Sequence, residues 1–167
     1  MEDSNKIQIF DKTNSNFNLV NYVNGLNINF VGKNNKIVLK SDSVFENCNI
    51  ACGSNCLIEI GSTRFKIIRL DIFAQECENC IVKIGDDFSC WGCELKCLGN
   101  CGVTIGNDCQ FSYDIVVWAT DGHAIFDSNK NCINHDESVD ISDHVWVGHR
   151  VEILKGSHIP SGCVIGA

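Results

Sequence analysis

The residue whose type and setting best suit catalysis is His123, in the phrase Thr120-Asp-Gly-His-Ala-Ile-Phe-Asp127. An unperturbed imidazole titrates near pH 6.5, so at neutral pH it can take a proton from a hydroxyl, and a placed general base contributes about 10²–10⁴-fold to a rate. Asp-Gly-His alone reads as a tight turn with a solvated flank. Its surroundings change that reading. A strand-like run, Ile115 to Trp118, precedes it, and a polar stretch over 124–138 then breaks the regular pattern. A base on a loop that leaves a regular frame can be closed into a cleft. Further on, Trp146 stands between Val145 and Val147 where a side chain should face outward, and an exposed aromatic there invites a ligand.

The cysteines offer a second chemistry. Cys77 with Cys80, and Cys90 with Cys93, are Cys-x2-Cys pairs, the ligand spacing of structural zinc. Only nine residues separate the pairs, however, and Cys80 belongs to a recurring Asn-Cys phrase with equivalents at Cys56 and Cys101. Free cysteine behaves as a small hydrophobe, so Cys56, Cys80, Cys101, Cys109 and Cys163 are expected as core or corner fillers, and no metal is expected. No cysteine neighbours a histidine in sequence, which leaves a thiol nucleophile without an evident base.

The elements that position these residues follow from periodicity. The chain has 167 residues, 44% of them hydrophobic, which is one domain with enough apolar material for a core. No window shows the apolar spacing of an amphipathic helix. Instead a phrase recurs, at Asn35-Lys-Ile-Val-Leu39, Asn55-Cys-Leu-Ile-Glu-Ile60, Asn79-Cys-Ile-Val-Lys-Ile84 and Asn100-Cys-Gly-Val-Thr-Ile105, with starts 20, 24 and 21 residues apart. Self-similarity at that period marks a solenoid whose units bury surface only by stacking. Towards the C-terminus the period tightens to six. Ile141, Val147, Ile153, Ile159 and Ile165 share one phase, and Val145, Val151, Ser157 and Cys163 follow at the fourth place. Flat strands turning at regular corners, with the aliphatic residue inward and a small residue at the corner, fit this pattern. Residues 1–25, rich in asparagine, are expected to form an irregular cap, with the solenoid over 26–167.

Asp143-His-Val-Trp-Val-Gly148, Ile153-Leu-Lys-Gly156 and Ile159-Pro-Ser-Gly-Cys-Val-Ile-Gly-Ala167 resemble the terminal coils of hexapeptide-repeat acyltransferases, of the sugar and polysaccharide O-acetyltransferase type. The resemblance covers roughly 26–167. It implies an all-β left-handed parallel β-helix with an excursion loop around 124–138, a hand that the period alone does not give and that departs from the usual right-handed crossover. It also implies acetyl-CoA as donor, His123 as base, and a homotrimer with each site between two chains. The pantetheine arm would pass Trp146 and Gly148, then Gly166 and Ala167, with Lys155 beside a CoA phosphate; Asp121 and Asp127, by proximity, would touch the acceptor. The family pattern usually continues beyond Val164-Ile-Gly-Ala167, so the last coils are expected to be truncated and the nucleotide end of the CoA site incomplete.

Two other readings use the same frame. A non-catalytic scaffold would carry these residues idle. A γ-type carbonic anhydrase would use a His-x4-His pair such as His144 and His149, but the phrase comparable to that family's second histidine, Leu154-Lys-Gly156, carries lysine. The formal charge of −8 argues against nucleic acid or an anionic membrane surface as partner. Met1 to Lys12 lacks a signal-peptide pattern and no apolar run approaches a membrane span, so the cytoplasm is the expected compartment.

Overall fold

The computed structural model describes residues 4–167. Twenty strands among them form three sheets, and no helix is present there, so none is long and apolar enough to cross a membrane. One sheet has eight strands and two have six; outside the N-terminal end every inter-coil pairing is parallel. The chain visits the sheets in a fixed rotation, as in Cys93–Lys96 on face B, Val103–Ile105 on face A and Gln110–Phe111 on face C. About six turns of this rotation build a triangular prism, the left-handed β-helix that the resemblance implies.

The recurring asparagine explains how the chain turns. At the corner from face B to face A, Asn34, Asn55 and Asn79 take φ of 61°, 56° and 60°. Asparagine tolerates this left-handed region better than most residues because its short side chain bonds locally. The next residue then points inward, and Cys56 and Cys80 are buried there. Asn35 heads this column and is also buried. Its Nδ2 donates to the Gly53 carbonyl at 2.7 Å and its Oδ1 accepts from the Cys56 amide at 2.9 Å, so the buried amide is satisfied.

The corner from A to C carries a second column. Asp87, Asp108 and His144 are left-handed here. Asp86 Oδ1 accepts from Ser62 N at 2.8 Å, Asn107 Oδ1 from Asp86 N at 2.8 Å, and Asp143 Oδ1 from Asn107 N at 2.6 Å. The coils are thus riveted side chain to backbone. Glycine is required inside this column because a Cβ on Gly85 would lie 2.6 Å from the Gly106 carbonyl carbon.

Between corners the strands alternate inward and outward. Ile58, Val82, Val103 and Val139 stack through the interior, as do Ile72, Leu95, Val117 and Ile153 on face B. The six-residue phase is visible in the last coils, where Ile141, Val147 and Ile153 are buried and Ile159 and Ile165 half-buried. All twelve cysteines are free, ten of them buried. Burial pushes the Cys52 and Cys90 thiols up to about 12, the behaviour of packing residues.

The N-terminal region differs from expectation. Its first three residues lie outside the described part, but the rest is not irregular. Lys6–Asp11 pairs in parallel with Lys36–Lys40 as a further strand of face A, and Asn16–Val20 folds back antiparallel over it. Ile7 and Ile9 lie on the strand that extends the sheet, and the Phe10 and Phe17 rings meet at 5.0 Å. Asparagine's low strand propensity hid the hairpin; pairing on an existing edge overrides it.

Candidate active site

The regular pattern is broken between Trp118, the last residue of a face B strand, and Val139, the first of the next face A strand. The excursion, 119–138, therefore leaves the prism at the B-to-A corner. It opens with a turn in which the Thr120 hydroxyl accepts from the Gly122 amide at 2.9 Å, with Gly122 at φ 80°. Thr120 is buried, so this turn is anchored in the frame and carries His123 outward.

Beyond His123 the loop is a small hairpin. Phe126 and Cys132 form an antiparallel bridge, and Ile133 N donates to Ile125 O at 2.8 Å. The Asp127 carboxylate accepts from the amides of Asn129 and Asn131, both at 2.8 Å, which tightens the tip and holds its carboxyl below the usual carboxylate range. Asn134 closes the base: its Nδ2 donates to Asp121 Oδ2 at 2.8 Å and to the His123 carbonyl at 2.9 Å, while its Oδ1 accepts from Ile125 N. Lys155 reaches up from the same corner one coil later. Its ammonium lies 2.7 Å from Asp121 Oδ2 and donates to the His135 carbonyl at 2.9 Å. That ammonium, then Asn134, depresses the Asp121 carboxyl's titration.

Asp121 and Asp127, expected against the acceptor, hold the loop together. Lys155, expected beside a CoA phosphate, fastens that loop to the prism. Asp121 and Lys155 are paired with each other, and Asp127 accepts from the amides of its own turn.

His123 is exposed, and among the described residues neither ring nitrogen has a hydrogen-bond partner, which leaves both able to meet a hydroxyl. It lines a cavity of about 210 Å³ with Leu98, Thr120, Asn134, His135 and Asp136. Leu98 belongs to the preceding coil, so the cavity reaches the N-terminal side of the loop. His135, Asp136 and Asn134 escaped the sequence reading because the hairpin, not a local motif, brings them beside His123. Among the described residues that line a larger cavity of about 790 Å³ under the N-terminal hairpin there is no histidine, carboxylate or ammonium.

Trp146 is elsewhere. It stands 57% exposed on face C, between Gln110 and Val164 in register, and lines a cleft of about 440 Å³ with Phe65, Trp91 and Tyr113. Gly148 follows it, with its amide donating to Ile165 O at 2.8 Å and Gly166 and Ala167 packed just beneath. The structure thus groups Trp146, Gly148, Gly166 and Ala167. Face C is the side of the triangle that does not touch the B-to-A corner, so His123 and Trp146 of one chain lie across the prism from each other.

His144 and His149 sit at the two ends of face C. His144 is a corner residue with Nδ1 2.7 Å from Asp108 Oδ2, beside the Arg64–Asp108 ion pair; His149 lies 3.4 Å from Asp114. Cys77 and Cys80 belong to the B-to-A corner, Cys90 and Cys93 to the C-to-B corner. Among the described residues no three such side chains converge as metal ligands do.

No family model matches the chain. Over 57 residues, 34% of this chain and 19% of the relative, it is 49% identical to the polysialic acid O-acetyltransferase of Escherichia coli O1:K1 / APEC. Over 153 residues, 84% of this chain and 65% of the relative, it is 27% identical to the polysialic acid O-acetyltransferase of Neisseria meningitidis. The chain spans less than two thirds of the length of either. Among solved structures, the polySia-specific acetyltransferase NeuO superposes with TM-score 0.69 at 26% identity over 99% of this chain and 84% of its own. The polysialic acid O-acetyltransferase OatWY gives 0.59 at 29%, over 83% and 75%. A prism of six-residue strands, interrupted once at a corner and matched end to end by such a structure, is similar to the sugar O-acetyltransferases built on hexapeptide repeats.

Proposed function

We propose that the chain is an acetyl-CoA-dependent O-acetyltransferase acting on a sugar hydroxyl of a polysaccharide, with His123 as general base. The observation that carries this reading is His123 itself: an exposed imidazole on a braced loop, lining a cavity, in a frame that superposes over nearly its whole length on a polysialic acid acetyltransferase. Both relatives are named for polysialic acid, and a polymer of that class is the proposed acceptor.

In this reading the imidazole takes the hydroxyl proton as the sugar oxygen attacks the thioester carbonyl. The C–S bond then breaks, and the proton passes to the departing thiolate. No covalent enzyme intermediate is needed, so juxtaposing two bound substrates supplies much of the remaining acceleration. Trp146, Gly148, Gly166 and Ala167 would flank the pantetheine arm. Because His123 and Trp146 lie across the prism from each other, one site needs the loop of one chain and face C of another, which supports a closed homotrimer with three equal clefts. A cytoplasmic site of action goes with that donor.

Calorimetric titration with acetyl-CoA, followed by thiol release in the presence of polysialic acid and a panel of neutral sugars, tests the proposal. Binding is expected in parent and His123→Ala alike, with release only in the parent. Absence of acetyl-CoA binding would sink the transferase reading and favour a scaffold.

A further inference from the structure

Three lysines among the described residues are half-buried: Lys40, Lys96 and Lys155. Lys40 pairs with Asp86 and Lys155 with Asp121. Among the described residues no carboxylate lies within ion-pair distance of Lys96, although the chain carries an excess of acids. Glu94, on the same outward row, has its Oε1 engaged by the Trp118 indole N–H at 2.8 Å. Lys96 instead rests its ammonium over the Trp118 ring, 4.9 Å from the centroid. Partial removal of an ammonium from water without a counter-charge is unfavourable, and an indole face returns only part of the loss. An anion from outside the chain would complete such an arrangement.

Its place says which anion. Lys96 sits one coil to the N-terminal side of the loop, in register with Trp118, the residue from which the loop departs. A Cβ on Gly122, next to His123, would lie 3.8 Å from Lys96 Nζ. The proposed donor path runs the other way, past Gly148 towards Gly166. The cavity beside His123 is lined by Leu98, two residues after Lys96. The acceptor side of the base is therefore the side on which the uncompensated ammonium stands.

Resting on the transferase reading above, we propose that Lys96 and Trp118 form an acceptor subsite, in which Lys96 holds the carboxylate of an acidic sugar and the Glu94-fixed indole lies against its ring. The subsite selects acidic over neutral polymers and sets the reacting hydroxyl beside His123. Both residues bind and orient the acceptor; neither moves a proton.

The experiment measures dissociation constants for a sialic acid oligomer, its carboxyl-reduced counterpart and acetyl-CoA, with the full chain as parent, Lys96→Met, Lys96→Arg and Trp118→Leu. A lost charge-assisted contact should weaken the acidic oligomer about tenfold in Lys96→Met and leave the reduced oligomer within about twofold. Lys96→Arg should retain most of the affinity, and Trp118→Leu should weaken both oligomers. Acetyl-CoA should be indifferent to all three. The proposal is overturned if Lys96→Met affects both oligomers equally or neither, if it weakens acetyl-CoA instead because the anion is a CoA phosphate, or if the parent binds no acidic oligomer. Failure of the transferase reading shows separately, as absent acetyl-CoA binding.

Discussion

The prism and its excursion loop are held by opposite means. In the prism, each inward Ile, Val, Leu or Cys stacks on its equivalent in the next coil, and polar rivets such as Asp143 to Asn107 merely fix the corners. In the loop, Ile125, Phe126 and Ile133 are exposed, and the fold depends on Asp127, Asn134 and the Asp121–Lys155 pair. A region cohered by burial gives rigidity without chemistry. A region cohered by a few polar bonds can present a base, and can be disabled without unfolding anything.

Several substitutions break that contrast at different depths. The largest effect is expected from His123→Ala, which should lower acetyl transfer by about 10²–10⁴-fold while the melting temperature is unchanged, read by thiol release and calorimetry. Leu95→Ala does the reverse. It removes a fully buried side chain from the face B stack and should cost about 2–5 kcal/mol, seen as a fall in melting temperature with activity kept until the transition. Mixing refolded His123→Ala and Trp146→Ala chains tests the division of the site. If the two residues come from neighbouring chains of a trimer, random assembly makes about a quarter of the sites whole, so activity reappears from two inactive parents. Recovery of nothing would place both residues in one chain's site.

A smaller effect belongs to Lys155→Met. Releasing Asp121 and the His135 carbonyl should raise the acceptor KM several-fold with little change in melting temperature, because a pair whose carboxylate is exposed adds little to global stability. The smallest effect concerns acid. Despite partial burial, bonds from Lys40 and Ser62 hold the Asp86 carboxyl at about 2. Its folded value lies below its unfolded one, so its stabilising effect is complete above the ordinary carboxylate pKa near 3.9 and is lost as pH falls towards 2. Asp86→Asn should therefore flatten the acid limb of the stability profile in that window, lowering stability at neutral pH and leaving it little changed near pH 2.

Much of the prism was legible because its information is periodic. The Asn-Cys phrases and the six-residue phase from Ile141 to Ile165 each repeat a local rule, a left-handed corner or an inward aliphatic, so every repeat reinforces the last. The N-terminal hairpin carried no such redundancy, and its asparagines argued the other way. The site divides similarly. His123 and Trp146 stood out by motif and by outward phase, whereas Asn134, Lys155 and Lys96 reach the His123 neighbourhood from 11, 32 and 27 residues away through contacts no short window encodes. The Asp121 partner of Lys155 is fixed by stacking of coils, not by sequence neighbours.

The register across the excursion has a consequence for descent with change. Val103 pairs with Val139 and Ile105 with Ile141 as though nothing intervened, so the ladder is indifferent to what 119–138 contains. Doubling the length of such a detour adds only about 0.6 kcal/mol of closure entropy. The loop behaves as a cassette in a fixed socket, and a lineage can exchange it while the spindle that carries it stays the same.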